Sequence, residues 1–213
     1  IAAQRRQAWP PRPRRSSDGP AVTEFEVFNG DADGLCAMHQ LRLAEPRVAR
    51  VVTGVKRDIA LLAGLVAGPG DRVTVCDVSL DSNRTDLLRL LSAGARVRWF
   101  DHHHAGELPA HPGLCAHIDE SHDVCTALLV DRHLGGRFAR WAVTAAFGDN
   151  LPDVARRYGE RLGLLADTLD ALQALGENLN YNAYGDEIGD LLVPPADLYG
   201  LMAPYADPID FAT

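Results

Sequence analysis

From residue 23 onward the chain alternates short apolar runs with stretches of helical periodicity, and this alternation restricts the fold more than any other feature. Runs at 24–28, 48–52, 72–76, 95–100 and 114–118 have the length and composition of strands. Between them, apolar residues recur at helical spacing over 35–43, 59–66 and 86–91, the last closed by Gly94; further helices are expected over 123–134 and 138–147. A helix joining successive strands makes those strands parallel and the crossover right-handed. The expected fold is therefore α/β, a doubly wound, mostly parallel five-stranded sheet with helices on both faces. Such sheets bind ligands beyond the carboxyl ends of their strands, so chemistry is sought in the residues that follow each run.

The flanks read differently. Residues 1–22 are rich in Arg, Pro and Ser and lack periodicity, so they are expected to form a disordered arm. That arm is either a nucleic-acid-binding tail or a leader without a role. Residues 23–150 form the expected α/β domain. Residues 153–175 read as one long helix, and 151–213 as a helical extension toward a further domain. Within it 177–185, which holds Asn178, Asn180 and Asn182, reads as a turn-rich hinge rather than a contact for a base or ribose. The net charge is −8, with +4 on residues 1–20 and −12 on the rest. An acidic body of this kind does not wrap nucleic acid by surface charge, but it suits carboxylates neutralised by metal ions. The four cysteines (Cys36, Cys76, Cys115, Cys125) contain no C-x-x-C pair and read as reduced, buried thiols. No apolar run approaches the ~20 residues of a membrane span, and no signal peptide is evident. A cytoplasmic protein is expected.

Four acidic clusters follow the expected elements. The first is Asn29-Gly30-Asp31-Ala32-Asp33-Gly34, where flanking glycines let the backbone bend sharply and two carboxylates face one pocket. Its bland alternative is a turn with Asp33 as a helix N-cap. The second is Asp77, which ends the run 72–76; an acid there is costly unless paired, capped or bound to metal. The third is Asp101-His102-His103-His104, which offers an imidazole ligand beside a proton donor or phosphate contact, or else a polar turn. The fourth, Gly148-Asp149-Asn150, places a carboxylate at a helix C-terminus, where the dipole disfavours it and a metal would reverse the cost. Together, carboxylates and imidazole at one sheet edge fit Mn²⁺ better than Ca²⁺ or structural zinc. Lys56 and Arg57 are candidate phosphate contacts or a solvated helix start. Asp123 is a candidate cap for the helix over 123–134. His39, His111, His117, His122 and His133 read as surface or satisfied histidines.

In order and form these motifs (Phe28 to Gly34, Cys76-Asp77, Asp101-His102-His103 and Gly148-Asp149) resemble those of the DHH phosphoesterase superfamily. That superfamily includes RecJ-like exonucleases, oligonucleotide and cyclic-dinucleotide hydrolases and family II pyrophosphatases. The resemblance covers residues 23–150. It implies two Mn²⁺ ions, with Mg²⁺ as a substitute. It also implies that Asp77 bridges them, with Asp31 on one and Asp33, His102 and Asp149 on the other. His103 would face the phosphate, and Asp101 would orient the histidines. Catalysis would then rest on His103, Asp101 and Asp77, through a hydroxide generated at the ion pair.

Two departures stand out. Many members carry a histidine just before the first aspartate pair; here Val27 and Asn29 occupy the candidate positions, and Asn29 offers at most a carbonyl ligand or a supporting contact. The family's C-terminal substrate-gripping domain, with its glycine-rich motif, is not visible in the sequence. The expected substrate is a nucleotide or short single-stranded nucleic acid, because N-G-D-A-D-G resembles the RecJ-like branch. A cyclic dinucleotide or 3′-phosphoadenosine phosphate comes next, and pyrophosphate third. The alternative class is a non-catalytic nucleotide-binding module that has lost one metal site, or a binder that uses the arginine arm.

Overall fold

Strand β1 (Glu24–Asn29) enters α1 (Ala32–Ala44), and β2 (Arg50–Gly54) leads through a long loop to β3 (Arg72–Cys76). Helix α2 (Arg84–Ser92), β4 (Arg96–Asp101) and β5 (Leu114–Ile118) complete the sheet. Helices α3 (Thr126–His133), α4 (Ala139–Gly148), α5 (Pro152–Arg161), α6 (Ala166–Asn182), α7 (Pro195–Met202) and α8 (Pro208–Ala212) follow, with a 3-10 turn at Ile188–Asp190. This is a computed structural model that describes Trp9 and residues 22–213; the arm expected over 1–22 falls outside the described residues except for its two positions Trp9 and Val22.

The sheet has the order β2-β1-β3-β4-β5, and every neighbouring pair is parallel. Period-two alternation divides its side chains between two cores. Phe28, Cys76 and Phe100, in register with one another, pack with α1, α3, α4 and α6. Val27, Val75 and Trp99, one position back, pack with α2 and the loop that carries Leu61, Leu62 and Leu65. Tyr199 of α7 is tied to the sheet through its hydroxyl, which donates to the buried Glu26 carboxylate (2.9 Å). Glu26 is itself neutralised by Arg42 (2.6 Å) and Arg47 (2.9 Å). All four cysteines are buried thiols outside any disulfide, as their spacing suggests.

Three expectations need correction. Residues 59–66 form turns, not a helix. Only Leu61, Leu62 and Leu65 of this run are buried, and partners on and before α2 take backbone groups that a helix would pair internally. The Asn83 side chain donates to Ile59 O (2.6 Å) and accepts from Leu62 N (3.3 Å), and Arg89 donates to Leu62 O and Leu65 O. The long helix over 153–175 is two helices. Gly163, at φ +75°, closes α5: its N–H donates to Glu160 O (2.9 Å) and that of Leu164 to Gly159 O (3.0 Å), a left-handed helix stop that favours glycine. The irregular hinge over 177–185 begins later than expected, because α6 runs on through Asn178, Asn180 and Asn182.

Two glycines set how closely α4 and α6 cross, and α4 carries Asp149 at its end. A β-carbon on Gly176 would lie 2.1 Å from Thr144 O, and one on Gly148 would lie 2.5 Å from Gly176 O and 2.4 Å from Ala32 Cβ. The obstacles include backbone, which yields only if a helix moves. Gly176→Ala should therefore lower unfolding free energy in urea by about 1–3 kcal/mol, the usual cost of overpacking. An unchanged urea midpoint would contradict this close crossing.

Candidate metal centre

The strand order places β2 and β3 on opposite sides of β1, so the loops leaving β1 and β3 diverge and open a crevice at the carboxyl ends of these strands. In-register pairing aligns Phe28, Cys76 and Phe100, so the residues that follow them share one edge of the sheet. Asp31 and Asp33 leave β1, Asp77 leaves β3, and Asp101, His102 and His103 end β4. Asp149, the residue closing α4, reaches the same place.

His102 is the centre of this group. Its Nε2 lies 3.5 Å from Asp77 Oδ1, 3.8 Å from Asp149 Oδ2 and 3.9 Å from Asp33 Oδ2. Two overlapping sets of ligand atoms result, Asp33/His102/Asp149 and Asp77/His102/His103, each with its atoms within 4.8 Å of one another. The surrounding cavity, about 170 Å³, is also lined by Asn29, Asp31, Asp58 and Lys56. A larger cavity of about 570 Å³ runs along β5 and α3 and shares no ligand with these sets.

The carboxylates are held by the backbone. Asp33 accepts the amide of Thr126 on Oδ2 and that of Ala127 on Oδ1, both at 2.7 Å. Asp33 thus caps α3 from 93 residues away and takes the role expected of Asp123, which makes no such bond because α3 starts at Thr126, three residues later. Asp31, not Asp33, caps α1: its Oδ1 accepts from Asp33 N and Gly34 N, each 3.1 Å. Neither Gly30 nor Gly34 has positive φ; each permits close approach, and a β-carbon on Gly34 would sit 2.1 Å from Asn29 O. The left-handed backbone falls instead at Asp77 (φ 57°), a conformation that costs a non-glycine residue roughly 1 kcal/mol or more. Thr126 Oγ1 donates to Asp77 Oδ1 (3.2 Å). Asp101 is fully buried and accepts from His102 N (2.9 Å) and His103 Nδ1 (2.7 Å) on one oxygen.

Lys56 Nζ donates to Asp31 Oδ2 (2.7 Å) and Asn180 Oδ1 (2.8 Å). Asn29 locks this arrangement. Its Nδ2 donates to Lys56 O (3.0 Å), while its Oδ1 accepts from Asp31 N (3.2 Å). Arg57 pairs with Asp186 at the surface and does not line the cavity. Sequence reasoning missed Thr126, whose hydroxyl and amide both serve the site, and the Lys56–Asn180 contact, which joins the crevice to α6. Nothing local in the sequence marks either, since both depend on contacts across 49 residues or more.

Burial dominates the electrostatics, and crowding of like charges adds to it. Burial, and then the charge of Asp77, push the Asp33 carboxyl up to about 7. Burial and Asp33 do the same to Asp149, to about 7, and burial and Asp31 raise Asp77 to about 6. Burial opposes the His102 imidazolium, but its bond to Asp77 and the nearby carboxylates outweigh this and raise it to about 10. The bond to Asp101 raises His103 to about 8, and Asp31 outweighs burial to raise Lys56. Three repelling carboxylates and one imidazole fit a divalent cation, which relieves the repulsion; an oxygen-rich set of this kind suits Mn²⁺ or Mg²⁺.

No protein-family model matches the chain, and no curated protein matches it significantly. Fold and site define a class only: an all-parallel α/β protein with overlapping Asp/His sets that could hold metal ions. No helix among the described residues is long and apolar enough to cross a membrane.

Two outcomes follow. His102 and His103 bind protons more tightly folded than unfolded, so their contribution is complete below their unfolded pKa near 6.5 and is lost as pH rises toward 8 and 10. Asp33 and Asp149, raised to about 7, act in the same direction up to that pH. Below 6.5 buried His39, lowered to about 4 by burial, opposes them. The melting temperature of metal-free protein should fall from pH 6.5 to pH 9; a flat or rising profile would contradict the crowding. Asp149→Asn removes one repelling charge, so it should stabilise metal-free protein at pH 8 by on the order of 1 kcal/mol. The same variant should lose most of the melting-temperature gain that Mn²⁺ gives the parent.

Proposed function

We propose that this chain is a metal-dependent phosphoesterase of the DHH type that hydrolyses a phosphodiester in a nucleotide or short single-stranded nucleic acid. The observation that carries this reading is the convergence of Asp33, Asp77, His102 and Asp149, from four separate chain segments, on one crevice. The ordered motifs that resemble the superfamily supply the reaction class. Manganese is the ion this donor set favours, with magnesium as a substitute. Bound by these four residues, a divalent cation would supply a water of lowered pKa and positive charge for the phosphate oxygens.

The remaining steps belong to the protein. Asp33, fixed by two amides, and Asp77, fixed by Thr126, cannot swing away when charge builds up, so the ligand geometry is set in advance. His103 stands at the mouth, 47% exposed, with Nδ1 held by Asp101. Raised to about 8 by that bond, it is protonated at neutral pH and its Nε2 can donate to a phosphate oxygen or to the departing oxygen. Lys56 adds a second positive group on the same wall.

The N-G-D-A-D-G form favours oligonucleotides first, then cyclic dinucleotides or 3′-phosphoadenosine phosphate, then pyrophosphate. With Mn²⁺ present, a panel of these four substrates should show release of mononucleotides from short oligonucleotides. Asp77→Ala should lower that rate by about 100-fold or more. Full activity in this variant would refute the assignment. Binding of a nucleotide with no turnover of any of the four would instead fit a non-catalytic nucleotide-binding module.

A further inference from the structure

The second cation of this site is built into the chain. We propose that the Lys56 ammonium occupies the place at Asp31 where a second metal ion would bind, so that the crevice takes up a single divalent ion. This rests on the metal-centre reading above and concerns how many ions that centre holds.

Five observations carry it. Asp31 belongs to neither set of ligand atoms, although it lines the same cavity. Both of its oxygens are engaged: Oδ1 accepts the two amides that start α1, and Oδ2 accepts Lys56 Nζ at 2.7 Å. A divalent ion on Oδ2 would face the ammonium at contact distance, and like charges at that range repel strongly in a partly buried site.

Lys56 is also anchored. Its N–H donates to Ala183 O (3.0 Å), its carbonyl accepts from Asn29 Nδ2 (3.0 Å), and its Nζ has a second acceptor in Asn180 Oδ1 (2.8 Å). The stem is therefore held at its root on both sides and at its tip by α6. Asn29, one of the two positions where the resemblance would place an imidazole, is bonded at both ends of its amide: its Oδ1 accepts from Asp31 N and its Nδ2 donates to Lys56 O. It has become a brace for the lysine.

The two remaining ligand sets overlap at His102, whose Nε2 is the atom that approaches Asp33, Asp77 and Asp149. An ion that takes this nitrogen leaves Asp77 and His103 of the second set, and His103 Nδ1 is already bonded to Asp101 (2.7 Å), so a second ion needs Asp31, which Lys56 occupies. A phosphate entering the crevice would then lie between one metal ion and one fixed ammonium. The metal can leave on chelation, but the lysine cannot.

The test is Mn²⁺ titration of the whole chain by calorimetry, with electron paramagnetic resonance of the loaded protein. Wild-type protein should bind one ion per chain and give the uncoupled six-line spectrum of an isolated Mn²⁺. Lys56→Met, which keeps the aliphatic stem, should bind two ions and show spin coupling between them. Lys56→Arg, which keeps the charge, should stay at one. Two ions in the wild-type chain would overturn the inference and leave the metal-centre reading intact. A single ion in Lys56→Met, in protein with a native circular dichroism spectrum, would likewise overturn it. No bound ion in wild-type protein would overturn both.

Discussion

Burial of carboxylates that also repel one another is the constraint on which this structure depends. Asp33, Asp77 and Asp149 stand around one imidazole in a crevice where burial weakens the screening that water would give. Left alone, such a group would protonate or splay apart. The chain prevents splaying with neutral dipoles. Two amides at the start of α3 hold Asp33, and the Thr126 hydroxyl holds Asp77. A stable fold that keeps carboxylates in this unfavourable arrangement is storing free energy that a bound cation releases.

Asp33 shows how closely fold and site are coupled. It sits in the first turn of α1, yet its side chain caps α3, and the same Oδ2 that accepts Thr126 N faces His102. One carboxylate therefore sets the distance between two helices and the position of a ligand. Gly148 and Gly176 have a comparable double effect: their close crossing packs α6 on α4, and α4 delivers Asp149. Helix α6 in turn supplies Asn180, which holds the tip of Lys56. Helices beyond the sheet therefore take part in shaping the crevice, and α4 carries the fourth acidic motif at its end.

Much of this could be read from the sequence because period-two and helical patterns are local. Strands 72–76 and 114–118 begin and end at the expected residues, and the all-parallel sheet follows from the order of elements. The gathering of Asp33, Asp77 and His102 is legible because a parallel sheet carries the residues after its strands to a common edge, whereas Asp149, at the end of α4, joins them only through helix packing. What failed depends on distant partners. Within 59–66 the buried Leu61, Leu62 and Leu65 mimic a helical stripe, and only the contacts of Asn83 and Arg89 show that backbone groups there are taken. A helix over 123–134 with Asp123 as its cap satisfied every local rule, but the acceptor comes from residue 33. The pairing of Lys56 with Asp31 and Asn180 spans three segments, and no spacing announces it.

The central claim is that these side chains are arranged to hold a divalent metal ion. Crystals soaked in Mn²⁺ and measured at the manganese absorption edge test it most directly. The account predicts an anomalous peak within about 2.5 Å of oxygens of Asp33, Asp77 and Asp149 and of His102 Nε2, as hard-cation coordination requires. A map with no peak in the crevice at saturating Mn²⁺, or with peaks only at surface carboxylates, would contradict it.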